Sequence, residues 1–172
     1  MELSTNQKGG VAELMIASAA AQLGIGVLKP LTDGERYDLI FDMRPELVRV
    51  QCKWAVRQGS VIIVRCQSSR RTANGFLARG YTSDEVDAIV AYCAELRECY
   101  FLPISLLDGR RQIYLRLSPA KNNQSRGVNF AVDYQLGAIA QLGERLSGTQ
   151  EVAGSSPASS TTKAAHNGRL FS

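Results

Sequence analysis

Residues 47–54 read Leu-Val-Arg-Val-Gln-Cys-Lys-Trp, and the reading of this stretch decides how the rest of the chain is arranged. Taken as a strand with a period of two, it sends Val48, Val50, Cys52 and Trp54 to one face and Arg49, Gln51 and Lys53 to the other. An amide and an ammonium therefore share a face, two residues apart. Such a pair is costly to bury without partners, but it is well suited to meeting a phosphate and its metal ion.

Upstream, Met43 to Glu46, with Pro45, reads as a hairpin turn into this strand. The preceding run, residues 36–42, alternates Tyr37, Leu39 and Phe41 with Asp38, Ile40 and Asp42, so Asp38 leaves the face opposite the aromatics. A short strand over 26–31 and a turn at Thr32-Asp33-Gly34 come before it. A helix is expected over 8–23, with Thr5 and Asn6 as cap-type residues, Val11, Leu14, Met15 and Ser18 as the core stripe and Gly24 as the stop.

Downstream, Arg57-Gln58-Gly59 turns into the run 61–66, apolar on both faces as a central strand would be. Residues 67–79 are polar and basic, which fits either a solvated connection or a phosphate-contacting one. Strand-like runs follow at 87–92, 99–102 and 112–117, then a polar loop over 118–127 and a short run to Tyr134. One helix followed by several adjacent strands predicts an α+β fold.

The 172 residues suit one domain with length to spare, and a net charge of +4 favours a polyanionic partner without naming it. Cys52, Cys66, Cys93 and Cys99 lie in apolar runs without CxxC spacing, which predicts buried, reduced thiols. The N-terminus is polar and no apolar run approaches membrane-spanning length, so a cytoplasmic protein with no membrane contact is expected. The only histidine, His166, stands in a polar tail, which argues against Ser-His or Cys-His catalysis.

Phosphodiester hydrolysis needs a hard divalent cation, oxygen ligands for it and a group that orients or deprotonates water. Asp38 offers a carboxylate, Gln51 an amide oxygen, Cys52 a backbone carbonyl and Lys53 the charged partner, while Glu13 on the helix adds a second carboxylate. Each alone has a plainer reading: a solvated edge-strand face for Gln51 and Lys53, a surface carboxylate for Asp38, helix-surface charge for Glu13. Their conjunction, with Glu on the first helix, Asp on the second strand and Gln-x-Lys on the third, is far more specific.

The words Lys8-Gly9 before Glu13, Tyr37-Asp38-Leu39 and Val50-Gln51-Cys52-Lys53 give the chain a resemblance to the PD-(D/E)XK nuclease superfamily, in particular its intron-encoded homing endonuclease branch. Tyr81-Thr82, Asp87, the run 100–103 and the run 128–131 add to the likeness, which spans residues 1–135. The literal Pro-Asp dipeptide is absent, since Pro30 is not adjacent to Asp38.

The resemblance implies a restriction-endonuclease-like, α/β/α-like mixed central sheet flanked by helices, and a magnesium-dependent, site-specific endonuclease acting on double-stranded DNA. It makes Asp38 a Mg2+ ligand, Gln51 a neutral ligand or water-positioning group, Cys52 a carbonyl ligand, Lys53 the activator of the nucleophile and Glu13 an auxiliary residue. Arg49, Arg57, Arg70, Arg71, Arg79 and Arg126 become candidate DNA contacts, and a homodimer or homotetramer is implied. A structure-specific nuclease such as a Holliday junction resolvase, or an inactive DNA-binding relative, are the alternatives.

Residues 136–172 shift to Ala, Gly, Ser and Thr, for which disorder is the expectation. Residues 137–162 can also be back-translated as a bacterial tRNA gene, the alternative being a reading frame that overruns into an unrelated neighbouring tRNA gene. The run 139–145 back-translates to a D-arm and 153–157 to a T-arm, while Leu146 as CTG and Gln150 as CAG form an anticodon stem. A mobile nuclease of group I intron type beside a tRNA gene would fit this arrangement.

Overall fold

The computed structural model describes residues 2–73, 75–107, 109–119 and 127–140. In chain order they form α1 (Thr5–Gln22), β1 (Gly26–Leu28), β2 (Leu39–Asp42), β3 (Leu47–Gln58), β4 (Val61–Arg65), β5 (Gln67–Thr72), β6 (Gly75–Gly80), β7 (Ala88–Cys93), β8 (Glu98–Pro103), β9 (Gln112–Arg116) and β10 (Asn129–Phe130). The fold is α+β, a mixed and mostly antiparallel sheet whose parallel steps are β3 with β7 and β9 with β10.

β3, 12 residues long, ties the sheet together. Residues 47–50 pair with β2, 50–55 run parallel to β7, and 56–58 pair with β4. Its period of two is as expected: Val50 and Cys52 are buried, with Val48 and Trp54 packed beside them, in a core that includes Ala12, Ile16, Leu39, Phe41, Val90 and Tyr92. Across the sheet, Ala55 joins a second core of Ile62, Val64, Ile89, Ala91, Tyr100, Leu102, Ile113 and Leu115. Two cores back to back explain why β7, Ala-Ile-Val-Ala-Tyr-Cys, is buried at every position.

Several expectations are corrected. The helix starts at Thr5, capped by Ser4, whose side chain and Gln7 form a reciprocal capping box. Its buried stripe is Ala12, Ile16 and Ala20, four residues apart, while Leu14 and Met15 are exposed. Two of these three are alanines, so the face is not chosen by hydrophobicity alone. The central strand is β7; β4 alternates between buried and half-buried positions and ends on an exposed Arg65. Residues 67–80 are a two-stranded hairpin, β5 with β6. Polar residues on both faces hid its periodicity.

The four cysteines are free and buried. Leu136 and Ala140 are buried in the first core, because 136–140 is helical, and Gly137 lies against Leu23. The folded body thus runs past the expected boundary at 135. Residues 141–172, which carry most of the tRNA-like reading, lie outside the described residues. No helix among the described residues is long and apolar enough to cross a membrane.

Candidate active site

β2 begins at Leu39, opposite Val50, and the chain leaves the ladder one residue earlier. There the Asp38 N–H still donates to the Val50 carbonyl at 2.9 Å, while its carboxylate accepts the Cys52 N–H at 2.8 Å. Alternate residues of a strand turn their backbone groups to opposite edges. The Arg49 N–H and C=O go to Asp87, on the β7 side. Val50 and Cys52 therefore face Asp38, and the Cys52 carbonyl shares that edge.

The Gln51 amide nitrogen donates to Asp38 Oδ2 and lies 3.4 Å from the Cys52 carbonyl oxygen. A carboxylate and a carbonyl thus converge on one partly positive donor. Burial pushes the Asp38 pKa above its ordinary value; the Cys52 N–H opposes this, and the nearby Glu13 charge adds to it. Glu13 and Asp38 line one cleft of about 130 Å³, with Lys29, Asp33 and Glu35 on its walls. Glu13 is ion-paired to Lys29 at 2.9 Å.

Two residues beyond Gln51, the Lys53 ammonium donates to the Tyr81 hydroxyl at 2.7 Å. It forms no ion pair among the described residues, and burial lowers its pKa, partly offset by Asp38. The phenol of Tyr81, half-buried, is pushed up to about 12, so its hydroxyl stays neutral. Arg36 also lies against the Tyr81 ring, its guanidinium carbon 4.6 Å from the centroid.

A family model described as PD-(D/E)XK endonuclease matches residues 3–137. The chain belongs to the PD-(D/E)XK endonuclease family. Among solved structures, a bacterial homing endonuclease, I-Ssp6803I, superposes with a TM-score of 0.66 at 25% identity, covering 87% of this chain and 100% of that one. No curated protein matches.

Within this PD-(D/E)XK endonuclease, four expected site residues, Glu13, Asp38, Gln51 and Lys53, come together, as does the Cys52 carbonyl. The donor set fits a hard cation. The converging oxygens are the Asp38 carboxylate and the Cys52 carbonyl, toward which Gln51 turns its amide nitrogen, and no cluster of three or more His, Cys, Asp or Glu able to hold a metal occurs among the described residues.

The basic residues divide. Arg49 is bound internally: Nε and Nη2 donate to the two Asp87 carboxylate oxygens at 3.0 and 2.8 Å, Nη2 also to the Ser83 carbonyl, and Nη1 to that of Asp84. Each guanidinium nitrogen has an acceptor, so Arg49, though partly exposed, braces β3 against the 83–87 turn. Arg57 is exposed at the β3–β4 turn, with Nε on the Gly59 carbonyl. Arg79, at the base of the hairpin, is exposed and ion-paired with Glu85. Arg70 and Arg71 lie on β5, but their side chains, like all of Arg126, lie outside the described residues.

Sequence reasoning gave Arg36 no part, and noted Tyr81 as part of the family likeness without a role at the site. Tyr81 ends a basic stretch and reaches Lys53 from 28 residues away, a pairing that no local spacing encodes.

Proposed function

We propose that this PD-(D/E)XK endonuclease is a magnesium-dependent, site-specific, homing-type enzyme that cuts both strands of duplex DNA. The observation that carries the reading is the convergence of the Asp38 carboxylate and the Cys52 carbonyl beside a lysine that, among the described residues, is held by a neutral hydroxyl.

Asp38, the Cys52 carbonyl and, after rotation of its amide, the Gln51 oxygen would hold Mg2+, with Glu13 auxiliary. The bound cation supplies charge neutralisation at the scissile phosphate. Lys53 exchanges its hydrogen bond to Tyr81 for one to the phosphate or to the attacking water, which it orients. With Gln51 neutral, the pocket is less negative than a two-carboxylate site, so affinity for Mg2+ is weak until the scissile phosphate of DNA meets the cation's remaining charge. One such site cuts one strand, so the chain acts as a homodimer or homotetramer. Arg57, Arg70, Arg71, Arg79 and Arg126 are the proposed DNA contacts.

The tRNA-gene reading of the tail directs the choice of substrate. The full chain is incubated with duplexes spanning uninterrupted tRNA genes, with and without Mg2+, beside Asp38→Ala and Lys53→Ala. Discrete Mg2+-dependent double-strand cuts, reduced on the order of a thousandfold in both variants, are expected. Preferential cutting of four-way junctions would point instead to a resolvase, and binding without cutting under any metal to an inactive relative.

A further inference from the structure

Tyr81 joins two parts of the molecule. It directly follows β6, and its hydroxyl accepts from Lys53 on β3. Arg36 lies against its ring and donates from Nη1 to the Ser68 hydroxyl of β5 at 2.9 Å and from Nη2 to the Gly80 carbonyl of β6 at 2.8 Å. Ser68 in turn donates to the Arg79 carbonyl at 3.2 Å, and Glu85 draws in both Arg36 and Arg79, at 3.3 and 2.5 Å. One arginine thus bonds both strands of the hairpin at their base and packs on the aromatic ring that holds the lysine.

We propose that Tyr81 is a positioning residue for the Lys53 ammonium, and that Arg36 makes that position depend on how the β5–β6 hairpin is seated. Lysine has a long, flexible stem, and among the described residues its end is held by the Tyr81 hydroxyl and by no carboxylate. A neutral acceptor on a rigid ring aims the ammonium without neutralising it, leaving its charge for the substrate. An aspartate in the same place would hold it more firmly and withhold that charge. The hairpin carries Arg70, Arg71 and Arg79, so DNA that shifts the hairpin also shifts Tyr81 and, through it, Lys53.

The proposal rests on Lys53 acting at the phosphate, and the experiment separates the two. Full-length Tyr81→Phe keeps the ring for Arg36 and removes the hydroxyl, with its bonds to Lys53 and Ser68. Its affinity for the tRNA-gene duplex, measured in Ca2+, should stay within about twofold of wild type, while single-turnover cutting in Mg2+ slows on the order of a hundredfold, as misplaced catalytic groups do. In 15N-labelled protein the Lys53 ammonium signal, assigned by its absence in Lys53→Ala, should be visible through slowed proton exchange in wild type and lost in Tyr81→Phe. Arg36→Gln should weaken that signal and the cutting rate together.

An ammonium signal and cutting rate unchanged in Tyr81→Phe, with Lys53→Ala inactive, would overturn the positioning role alone. Equal losses of affinity and rate would make Tyr81 a substrate contact instead. Wild-type cutting by Lys53→Ala would remove the reading of Lys53 on which the proposal stands.

Discussion

Arg49 and Lys53 are cations four residues apart on the same face of β3, yet their surroundings are opposite. Arg49 meets a carboxylate in bidentate fashion and two carbonyls besides, which raises its pKa through the Asp87 hydrogen bonds and depresses that of Asp87. Lys53 meets a neutral phenol, and burial pulls its pKa down. A cation that braces the fold is neutralised where it stands. A cation available for chemistry is held by something that leaves its charge in place.

Substitutions can break or sharpen this contrast. Arg49→Met leaves Asp87 and two carbonyls without their donor and should lower unfolding stability by about 1 to 2 kcal/mol, a figure kept small because the pair is partly exposed. In thermal melts that corresponds to a drop of roughly 3 to 6 °C. Cutting per folded molecule should change by less than about threefold. A stable Arg49→Met protein that no longer cuts would return Arg49 to the DNA contacts.

Lys53→Met should do the reverse. The depressed folded pKa means that the charged form costs folded stability at neutral pH, so removing it should leave the melting point level or raise stability by up to about 1 kcal/mol, with cutting lost. A drop as large as that of Arg49→Met would show both cations to be braces.

The smallest effect is in acid. Because the folded pKa of Asp87 lies below its unfolded value, its contribution is complete above the ordinary carboxylate range and is lost as pH falls through the folded value. Denaturation between about pH 6 and about pH 3 should therefore show Asp87→Asn losing less stability than wild type, by a fraction of about 1 kcal/mol. Parallel curves for the two proteins would mean that the ion pair contributes nothing.

The same contrast marks how far the site was legible in advance. Alternation along 47–54 placed Gln51 and Lys53 together, and alternation along 36–42 placed Asp38 where it meets them, since a strand's period is local and strict. Alternation also put Arg49 on that face, but did not show what it binds within the fold. Its partner within the fold, Asp87, comes from 38 residues away. The helix stripe was misread because Leu14 and Met15 are more hydrophobic than Ala12 and Ala20, whereas the buried face is not chosen by hydrophobicity alone.

By itself, then, the sequence determined the strand faces, the α+β class, the buried thiols and the grouping of Asp38, Gln51, Cys52 and Lys53, all of which follow from backbone periodicity and short hairpins. Only the tertiary structure decided which cation is neutralised, which strand lies between the two cores and which tyrosine receives Lys53. Those outcomes depend on contacts between segments distant in the chain, and such contacts are set by packing rather than by any local pattern.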